Sequence, residues 1–407
     1  PGARFLPTLR RGNVHGALDM GLAPGVLPGR VALNEGREWF ARHWDVVPDS
    51  PGRSTTTVFA SLAPELATSE SVAPEEGRGS RAVRALVLLG ADPIDDFPDR
   101  RLAERALHAA ELVVAVCGHP SASLEHADIV LPAAVAHEQS GTTTNLEGRV
   151  TSLGQKLVPP GLAWPDWMIA AELASALGAD LGFSTTGDVG REIELVASSH
   201  RGLHGAIHEP GGNPDGVVVP VTEGPVRRAE PIDPIAIPGV DSVERQGAPP
   251  RVGSANTDED RLAERNGVDP SPPRLGGTQS AQTSAGEAPH APPPDAYSLR
   301  LVSSRRLYDR GSAVAGSPSL GPLVPASAAR INPHDLDRFG IGAGERVRVR
   351  SSRGSVVLTT VADADVVRGV AIIEFNLAND EPDQPGNAAS RLIDASAVVT
   401  DVRLESL

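Results

Sequence analysis

The chain is poor in cysteine, lysine and aromatic residues. Its 407 residues include one cysteine, Cys117, one lysine, Lys156, and only 3% aromatic residues. A single cysteine excludes an internal disulfide framework and any all-cysteine metal or iron–sulfur site within this chain. Cys117 ends the apolar run LVVAV. We therefore expect it to be a small buried hydrophobic residue, with a reactive thiol as the alternative.

Two further absences limit the partners of the chain. The formal charge is −15, which argues against nucleic acid as a partner, because phosphate neutralisation needs clustered Lys and Arg. No apolar run approaches the roughly 20 residues that a membrane-spanning helix needs. The chain begins at Pro1 without a signal-peptide pattern, so we expect a piece of a longer protein.

Residues 138–150, EQSGTTTNLEGRV, are the hardest stretch to explain as ordinary fold-building. Consecutive threonines between glycines disfavour a helix, because β-branched residues and Gly both lower helix stability. The segment is expected to be extended or looped. Chemistry alone leaves two interpretations open: a solvated turn with a charge pair, or a loop that lines a site for a polar cofactor or partner. Glu147 and Arg149 are close enough to form an ion pair.

Residues 82–132 predict a parallel sheet wound with helices. Three short apolar runs, AVRALVLLG, ELVVAVCG and DIVLP, alternate with the helical stretches RLAERALHAA and SASLEHA. Strand–helix–strand alternation at this spacing is a βαβ unit. Ligands of such sheets gather beyond the carboxyl ends of the strands. Residues 90–93, 118–120 and the loop after Pro132 are therefore expected at the functional edge of the sheet.

The flanking sequence predicts a first domain over residues 1–240. Dense Gly and Pro over residues 12–30 predict a long ordered loop, and Asn34 is a candidate N-cap for a following short helix. Asp166 is a candidate N-cap for a helix that ends near Gly178. A further helix is expected over DVGREIELVASS, followed by a strand at residues 217–221.

Residues 241–295 are rich in Pro, Gly, Ser, Ala and charge, which predicts a disordered linker. From residue 296 to 407, alternating strands are broken by turns at Arg353-Gly354 and Arg368-Gly369. Many short strands at close spacing predict a small β-barrel as a second domain.

Together these segments resemble the molybdopterin-oxidoreductase superfamily. The resemblance rests on the LLGADP strand-loop, the ADIVLP strand and the E-x-x-G-T-x-x-N-x-E-G-R loop, followed by N-P-x-D at residues 332–335 and G-x-R-V-x-V at residues 344–349. It implies an α/β class in which a parallel-sheet, Rossmann-like domain is joined by the linker to a C-terminal double-psi β-barrel. In the superfamily that barrel binds the molybdopterin dinucleotide.

Within the superfamily, the chain is similar to the family of G subunits of the respiratory NADH:quinone oxidoreductase (complex I), in its actinobacterial form. The resemblance implies a scaffold in the peripheral arm of that translocase, which transfers electrons from NADH to quinone. The NADH-binding and cluster-bearing subunits would be its partners, at the cytoplasmic face of the plasma membrane, without direct membrane insertion. The iron–sulfur clusters of that family belong to an N-terminal region absent from this sequence.

Two other functions remain open from the sequence. One is a molybdopterin-guanine-dinucleotide oxidoreductase of the formate dehydrogenase or nitrate reductase type, and the other is an interaction protein with a degenerate fold. The resemblance implies these cofactor-binding positions: Gly90, Asp92, Pro93, Gly141, Thr142, Asn145, Glu147, Arg149, Ser304, Arg305 and Asn387.

The cofactor expectation is negative. Asp92 stands where relatives often carry Asn, and we identify no catalytic residue and no metal ligand. We therefore expect this segment to bind no cofactor, with molybdopterin as the less favoured alternative. Arg305 is the residue expected to grip a phosphate if a nucleotide is present.

Overall fold

The computed structural model describes residues 12–66, 83–208, 212–219, 291, 295–379 and 386–407. They fall into two compact units. Unit 1 draws on residues 1–53, 134–160 and 167–284, and unit 2 on residues 54–133, 161–166 and 285–407. The predicted domains, residues 1–240 and 296–407, have different bounds from these two units and remain a prediction. The predicted linker, residues 241–295, lies outside the described residues except for positions 291 and 295.

Unit 2 contains the predicted parallel sheet. Its strands are β3 (Ala85–Leu89), β4 (Leu112–Cys117) and β5 (Ile129–Pro132), in the order β3-β4-β5 and all parallel. The helices are α3 (Thr55–Leu62), α4 (Pro93–Asp96) and α5 (Arg100–Ala109), with one-turn 3-10 helices at Pro64–Leu66 and Ala122–His126. Leu102 and Ala106, one turn apart on α5, are fully buried. The βαβ prediction is confirmed, since an apolar helical stripe covers the apolar strands.

Unit 2 also contains a closed six-stranded barrel in the order β10-β12-β11-β14-β9-β13. The strands are β9 (Leu299–Val302), β10 (Ala328–Ile331), β11 (Arg346–Arg350), β12 (Ser355–Ala362), β13 (Val370–Ile373) and β14 (Asp401–Ser406). Two short helices, α9 (Ser312–Ala315) and α10 (Pro333–Phe339), and 3-10 turns at Gly321–Leu323 and Ala389–Arg391 connect them. Leu299, Val349 and Val402 fill the interior with no exposed surface. The predicted barrel is confirmed.

Unit 1 is built on a three-stranded sheet with helices beside it. The sheet consists of β6 (Gly141–Thr144), β7 (Arg149–Leu153) and β8 (Val217–Val218), all antiparallel. The helices are α1 (Val14–Asp19), α2 (Leu33–Phe40), α6 (Asp166–Ala176), α7 (Thr186–Val196) and α8 (Leu203–His208), with a 3-10 turn at Ser198–His200 and a strand pair β1 (Val26–Leu27) and β2 (Val31–Ala32). Segment 138–150 is therefore mostly a β-hairpin.

The structure corrects three local predictions. Residues 12–30 are not one long loop, because they contain α1 and β1; Gly21 and Gly25 have positive φ angles in the turns between these elements, and Gly29 in the turn after β1. Asp166 is not an N-cap, because α6 already begins at this residue. Asn34 is not an N-cap, because α2 already begins at Leu33.

No helix among the described residues is both long enough and apolar enough to cross a bilayer.

Candidate functional site

The first part of the candidate site lies at the carboxyl end of β3, as predicted. Gly90 ends the strand with a left-handed backbone (φ +58°), and its N–H donates to the carbonyl of Val116 on β4 at 2.8 Å. The chain then turns through Asp92, and Pro93 is the first residue of α4. Gly90 is favoured here because a side chain at that φ would be strained.

Asp92 is part of the support of this turn. The Ser123 hydroxyl donates to its carboxylate, and the same hydroxyl oxygen accepts from the Ile94 N–H at 3.1 Å. Ser123 is fully buried, and its hydroxyl group is satisfied both as a donor, by Asp92, and as an acceptor, by the Ile94 N–H. The negative charge predicted at the nucleotide edge is present, but one carboxylate oxygen of Asp92 is already engaged.

Asp95 connects the turn to the barrel. Its carbonyl accepts from the Asn387 side-chain amide at 3.3 Å, and its carboxylate pairs with Arg100 at 3.1 Å. Burial raises the pKa of the Asp95 carboxyl, and the Asp92 carboxylate raises it further, although the Arg100 and Arg310 guanidinium groups act in the opposite direction. Asp95 therefore holds its proton more tightly than an ordinary aspartate.

Residues 304–310 form the barrel loop of the site, which follows β9. The carbonyl of Ser304 accepts from the Phe375 N–H at 2.7 Å. The Arg305 guanidinium lies 4.3 Å above the centre of the Phe375 ring and 3.5 Å from the carboxylate of buried Asp309. Stacking on the ring and this ion pair hold the planar guanidinium in a fixed orientation.

Two residues of this region were not predicted. Arg310 is exposed, and its guanidinium makes no ion pair with any residue that the structure describes, although its charge acts on Asp95. Asn376 is 2% exposed and has a left-handed backbone with φ +62°. Its backbone carbonyl accepts a hydrogen bond from the Arg310 backbone N–H at 2.9 Å. Its side-chain nitrogen has no hydrogen-bond partner among the described residues. The dense arginines of SSRRLYDR were the available sequence signal for Arg310. Asn376 gave none.

The donor set of the barrel loop suits the phosphate groups of a dinucleotide. Arg305 is held flat and partly exposed, Arg310 is exposed, and both are always charged. The unpartnered side-chain nitrogen of buried Asn376 is an unsatisfied donor beside them. Six predicted positions belong to unit 2, and they lie on its sheet edge and barrel loops: Gly90, Asp92, Pro93, Ser304, Arg305 and Asn387.

The remaining predicted positions belong to the β6–β7 hairpin of unit 1. The Asn145 carboxamide oxygen accepts from the N–H groups of Glu147 and Arg149 at 2.9 and 3.0 Å, and Gly148 completes the turn with φ +76°. The predicted ion pair is confirmed, with Arg149 Nε 3.1 Å from a Glu147 carboxylate oxygen. Asn145, Glu147 and Arg149 stabilise the turn. Gly141 and Thr142 instead line a cavity of about 500 Å³.

Cys117 is partly exposed, which corrects the prediction of a buried residue, and partial burial of its thiol still raises the thiol pKa. Such a thiol is a poor nucleophile at neutral pH. No group of three or more His, Cys, Asp or Glu side chains suited to a metal occurs in the described part of the chain.

Two family models match this chain. The model described as molybdopterin oxidoreductase matches residues 33–176, and the one described as molydopterin dinucleotide binding domain matches residues 299–400. The second match covers five of the six barrel strands, β9 to β13, and the loop at residues 304–310.

Curated relatives point to oxidoreductase subunits. The F420-dependent formate dehydrogenase 2 subunit alpha of Methanococcus maripaludis is 27% identical over 400 residues, which are 96% of this chain and 50% of the relative. The G 2 subunit of the NADH-quinone oxidoreductase of Rhizobium meliloti is 32% identical over 206 residues, which are 50% of this chain and 22% of the relative. The chain thus spans about half the length of the formate dehydrogenase subunits that it matches.

A solved structure agrees on the fold. Acetylene hydratase from Pelobacter acetylenicus aligns with a TM-score of 0.50 at 16% identity, covering 86% of this chain and 46% of that chain. At this identity the likeness shows the fold alone. With the two family matches and the α/β-plus-barrel architecture, the chain belongs to the molybdopterin oxidoreductase superfamily.

Proposed function

We propose that residues 1–407 are part of a molybdopterin-dinucleotide oxidoreductase of the formate dehydrogenase type, and that unit 2 holds the nucleotide end of the cofactor. The observation that carries the proposal is the barrel loop, where Arg305 and Arg310 present two guanidinium groups. The reaction class is supported by the formate dehydrogenase subunits, which match 96% of the chain, whereas the match to the NADH-quinone oxidoreductase relative covers 50%.

Each residue of the loop has a definite part in this proposal. Arg305, held by Phe375 and Asp309, binds one phosphate oxygen pair in bidentate fashion. Arg310 binds the neighbouring phosphate and keeps its attraction for Asp95. Asn376 supplies a side-chain N–H donor. When bound, a molybdopterin dinucleotide with its metal supplies two-electron redox chemistry.

The proposal revises the expectation that this segment binds no cofactor. That expectation rested on Asp92 and on the lack of a metal ligand. The Ser123 hydroxyl now accounts for one Asp92 oxygen, and a match to a dinucleotide-binding domain favours the cofactor. The loop arginines supply the positive charge that a diphosphate requires.

A second candidate is the G subunit of an NADH–quinone oxidoreductase, acting as a scaffold. It is favoured by the higher identity of 32% over half of the chain and by the acidic turn of Asp92, Asp95 and Asp96, which opposes a polyanion. Either candidate is a subunit with protein partners. For the second, these would be the NADH-binding and cluster-bearing subunits of the peripheral arm.

Analysis of the full-length native protein separates the candidates. Anaerobic purification should give stoichiometric molybdenum or tungsten, an extractable fluorescent pterin, and formate-dependent reduction of a viologen dye. Absence of both metal and pterin from a preparation that retains its partner subunits would refute the first candidate and favour the scaffold.

A pair of variants tests the barrel loop. The double variant Arg305→Gln/Arg310→Gln should lose most of its extractable pterin. Arg84→Gln is the matched control, because Arg84 forms an exposed ion pair with Glu111 at the opposite end of β3 from Gly90. Normal pterin content in the double variant would mean that the loop does not hold the nucleotide.

A further inference from the structure

Unit 1 contains a cavity of about 500 Å³ to which the proposed function assigns no ligand. The β6–β7 hairpin forms one wall, and helices α7 and α8 form the other. This volume lies within the range of about 300–1,000 Å³ that small-molecule sites usually have. Most of its lining surface is apolar, although ten of the lining residues have polar side chains. The apolar and aromatic contributors are Met20, Val150, Leu153, Trp167, Val189, Ile193, Leu203 and Ile207.

The main polar group of the cavity is His200. It is 4% exposed and lines the cavity, and its Nδ1 is hydrogen-bonded to the Ser199 hydroxyl at 2.9 Å. No described residue is hydrogen-bonded to its Nε2. Burial lowers the pKa of His200, and the neighbouring Asp19 carboxylate opposes this effect only in part. A neutral imidazole with an unpaired nitrogen at a cavity wall is free to bind a ligand atom.

The charges around the cavity disfavour an anionic ligand. The Glu194 carboxylate lines the cavity and accepts the backbone N–H of His204, so it is held in place. An anion would be repelled by it. Burial and the nearby His204 ring lower the pKa of His208, which keeps that side chain neutral at physiological pH.

We propose that this cavity binds an uncharged, predominantly apolar ring compound whose single polar group is hydrogen-bonded to His200 Nε2. Trp167 and the aliphatic side chains of α7 and α8 supply contact area for one or two rings. The hydroxyl groups of Thr142 and Thr144 on the opposite wall are available for a second hydrogen bond. Every residue that lines this cavity belongs to unit 1, whereas the arginine loop of the proposed nucleotide site belongs to unit 2.

Thr142 offers a direct way to block the cavity. It lines the cavity, as does Ser152, which is paired with it across the β6–β7 hairpin. Successive side chains of a strand point to opposite faces, so a tryptophan at position 142 would occupy the cavity side of β6. Thr143 is the matched control, because it is the next residue of the same strand, points to the other face and does not line the cavity.

The test measures binding of 2-naphthol and of 2-naphthoate to residues 1–407 by calorimetry at neutral pH. The uncharged naphthol should bind at least about tenfold more tightly than the carboxylate, because Glu194 repels the latter. Thr142→Trp should weaken naphthol binding by at least about tenfold, the scale on which apolar pockets resolve small groups. Thr143→Trp should bind as the unmodified chain does.

Two substitutions of His200 test the polar contact. His200→Gln places an amide near the Nε2 position and should retain most of the affinity. His200→Asn keeps only the group that pairs with Ser199, so it should bind several-fold more weakly. The proposal is overturned if naphthol does not bind, if naphthoate binds as tightly, or if Thr142→Trp leaves binding unchanged. Equal affinities of the two His200 variants would remove His200 from the site.

Discussion

A buried ion-pair network in unit 2 gives the most quantitative prediction. Arg353 is 8% exposed, and its Nε lies 2.8 Å from the carboxylate of Asp99, which has no exposed surface. Its Nη2 donates to Asp394 at 2.7 Å and to the Ser396 hydroxyl at 3.1 Å. Asp99 also caps helix α5 by accepting the Leu102 N–H at 3.0 Å. One arginine therefore ties the start of α5 to the barrel loops.

The perturbation is Arg353→Met, which keeps an unbranched side chain as far as the position of Nε and removes the charge. Removing one partner of a buried ion pair costs about 3–5 kcal/mol, because the other charge is left uncompensated. Asp99 retains two backbone donors, from Leu102 and from Ala395 at 3.2 Å. We therefore expect a loss near the lower limit, about 3 kcal/mol in the free energy of unfolding.

The loss should depend on pH. Burial already raises the pKa of Asp99 although Arg353 lowers it. Without Arg353 the folded-state pKa rises further above the unfolded value. A raised carboxyl pKa contributes stability at low pH that is lost as pH rises through the folded pKa. The destabilisation of Arg353→Met should therefore be largest at neutral pH and become smaller toward about pH 4.

The assay is urea unfolding followed by circular dichroism, with hydrogen exchange of α5 as a local readout. Arg84→Met is the control, because it breaks an exposed pair with Glu111 and should leave the free energy of unfolding nearly unchanged. The double variant Asp99→Asn/Arg353→Met should recover part of the loss, since only Asp394 is then left without its cation, and it keeps two hydrogen bonds from Ser396. Equal losses for Arg353→Met and Arg84→Met would refute the reasoning.

Three other changes have clear expected outcomes. Asp95→Asn removes a carboxyl with a raised pKa. The free energy of unfolding of the unmodified chain, relative to that of the variant, should therefore decrease as the pH rises from about 4 to about 7. Urea unfolding measures both, and a free-energy difference that does not change with pH would contradict this. Gly148→Ala forces a side chain into a left-handed turn and should cost about 1 kcal/mol or more, whereas Gly141→Ala should be nearly neutral in the same thermal unfolding assay. Ser123→Ala leaves the Asp92 carboxylate and the Ile94 N–H without their shared partner. We expect the free energy of unfolding to decrease by about 2 kcal/mol, measured by calorimetry. An unchanged melting temperature would show that water replaces the hydroxyl.

Local sequence patterns predicted most of the architecture. The strands at β3, β4 and β5 follow from short apolar runs closed by turn residues, and α5 follows from its buried stripe. The barrel was predicted for the same reason, since its strands alternate buried and exposed residues between turns. The exceptions were local. Residues 12–30 contain a helix that glycine and proline density concealed, because only the glycines in the turns require a positive φ.

The candidate site was predicted only in part. Its sheet-edge residues could be placed because ligands of parallel sheets gather at the carboxyl ends of the strands. Arg310 and Asn376 were missed, because their significance depends on contacts with Asp95 and with each other across the fold. The cavity of unit 1 was missed for the same reason, since it is bounded by elements far apart in the chain.

The sequence by itself determined the α/β class, the barrel and the superfamily, because strand length, turn residues and short motifs are local properties. Only the tertiary structure decided which polar groups are already engaged. Asp92 is bound by Ser123, 31 positions away, and Asn387 reaches Asp95 across 292 positions. Such partners are fixed by packing, which brings distant segments within hydrogen-bond range. Knowing these partners is what distinguishes a charged group that is available to a ligand from one that stabilises the fold.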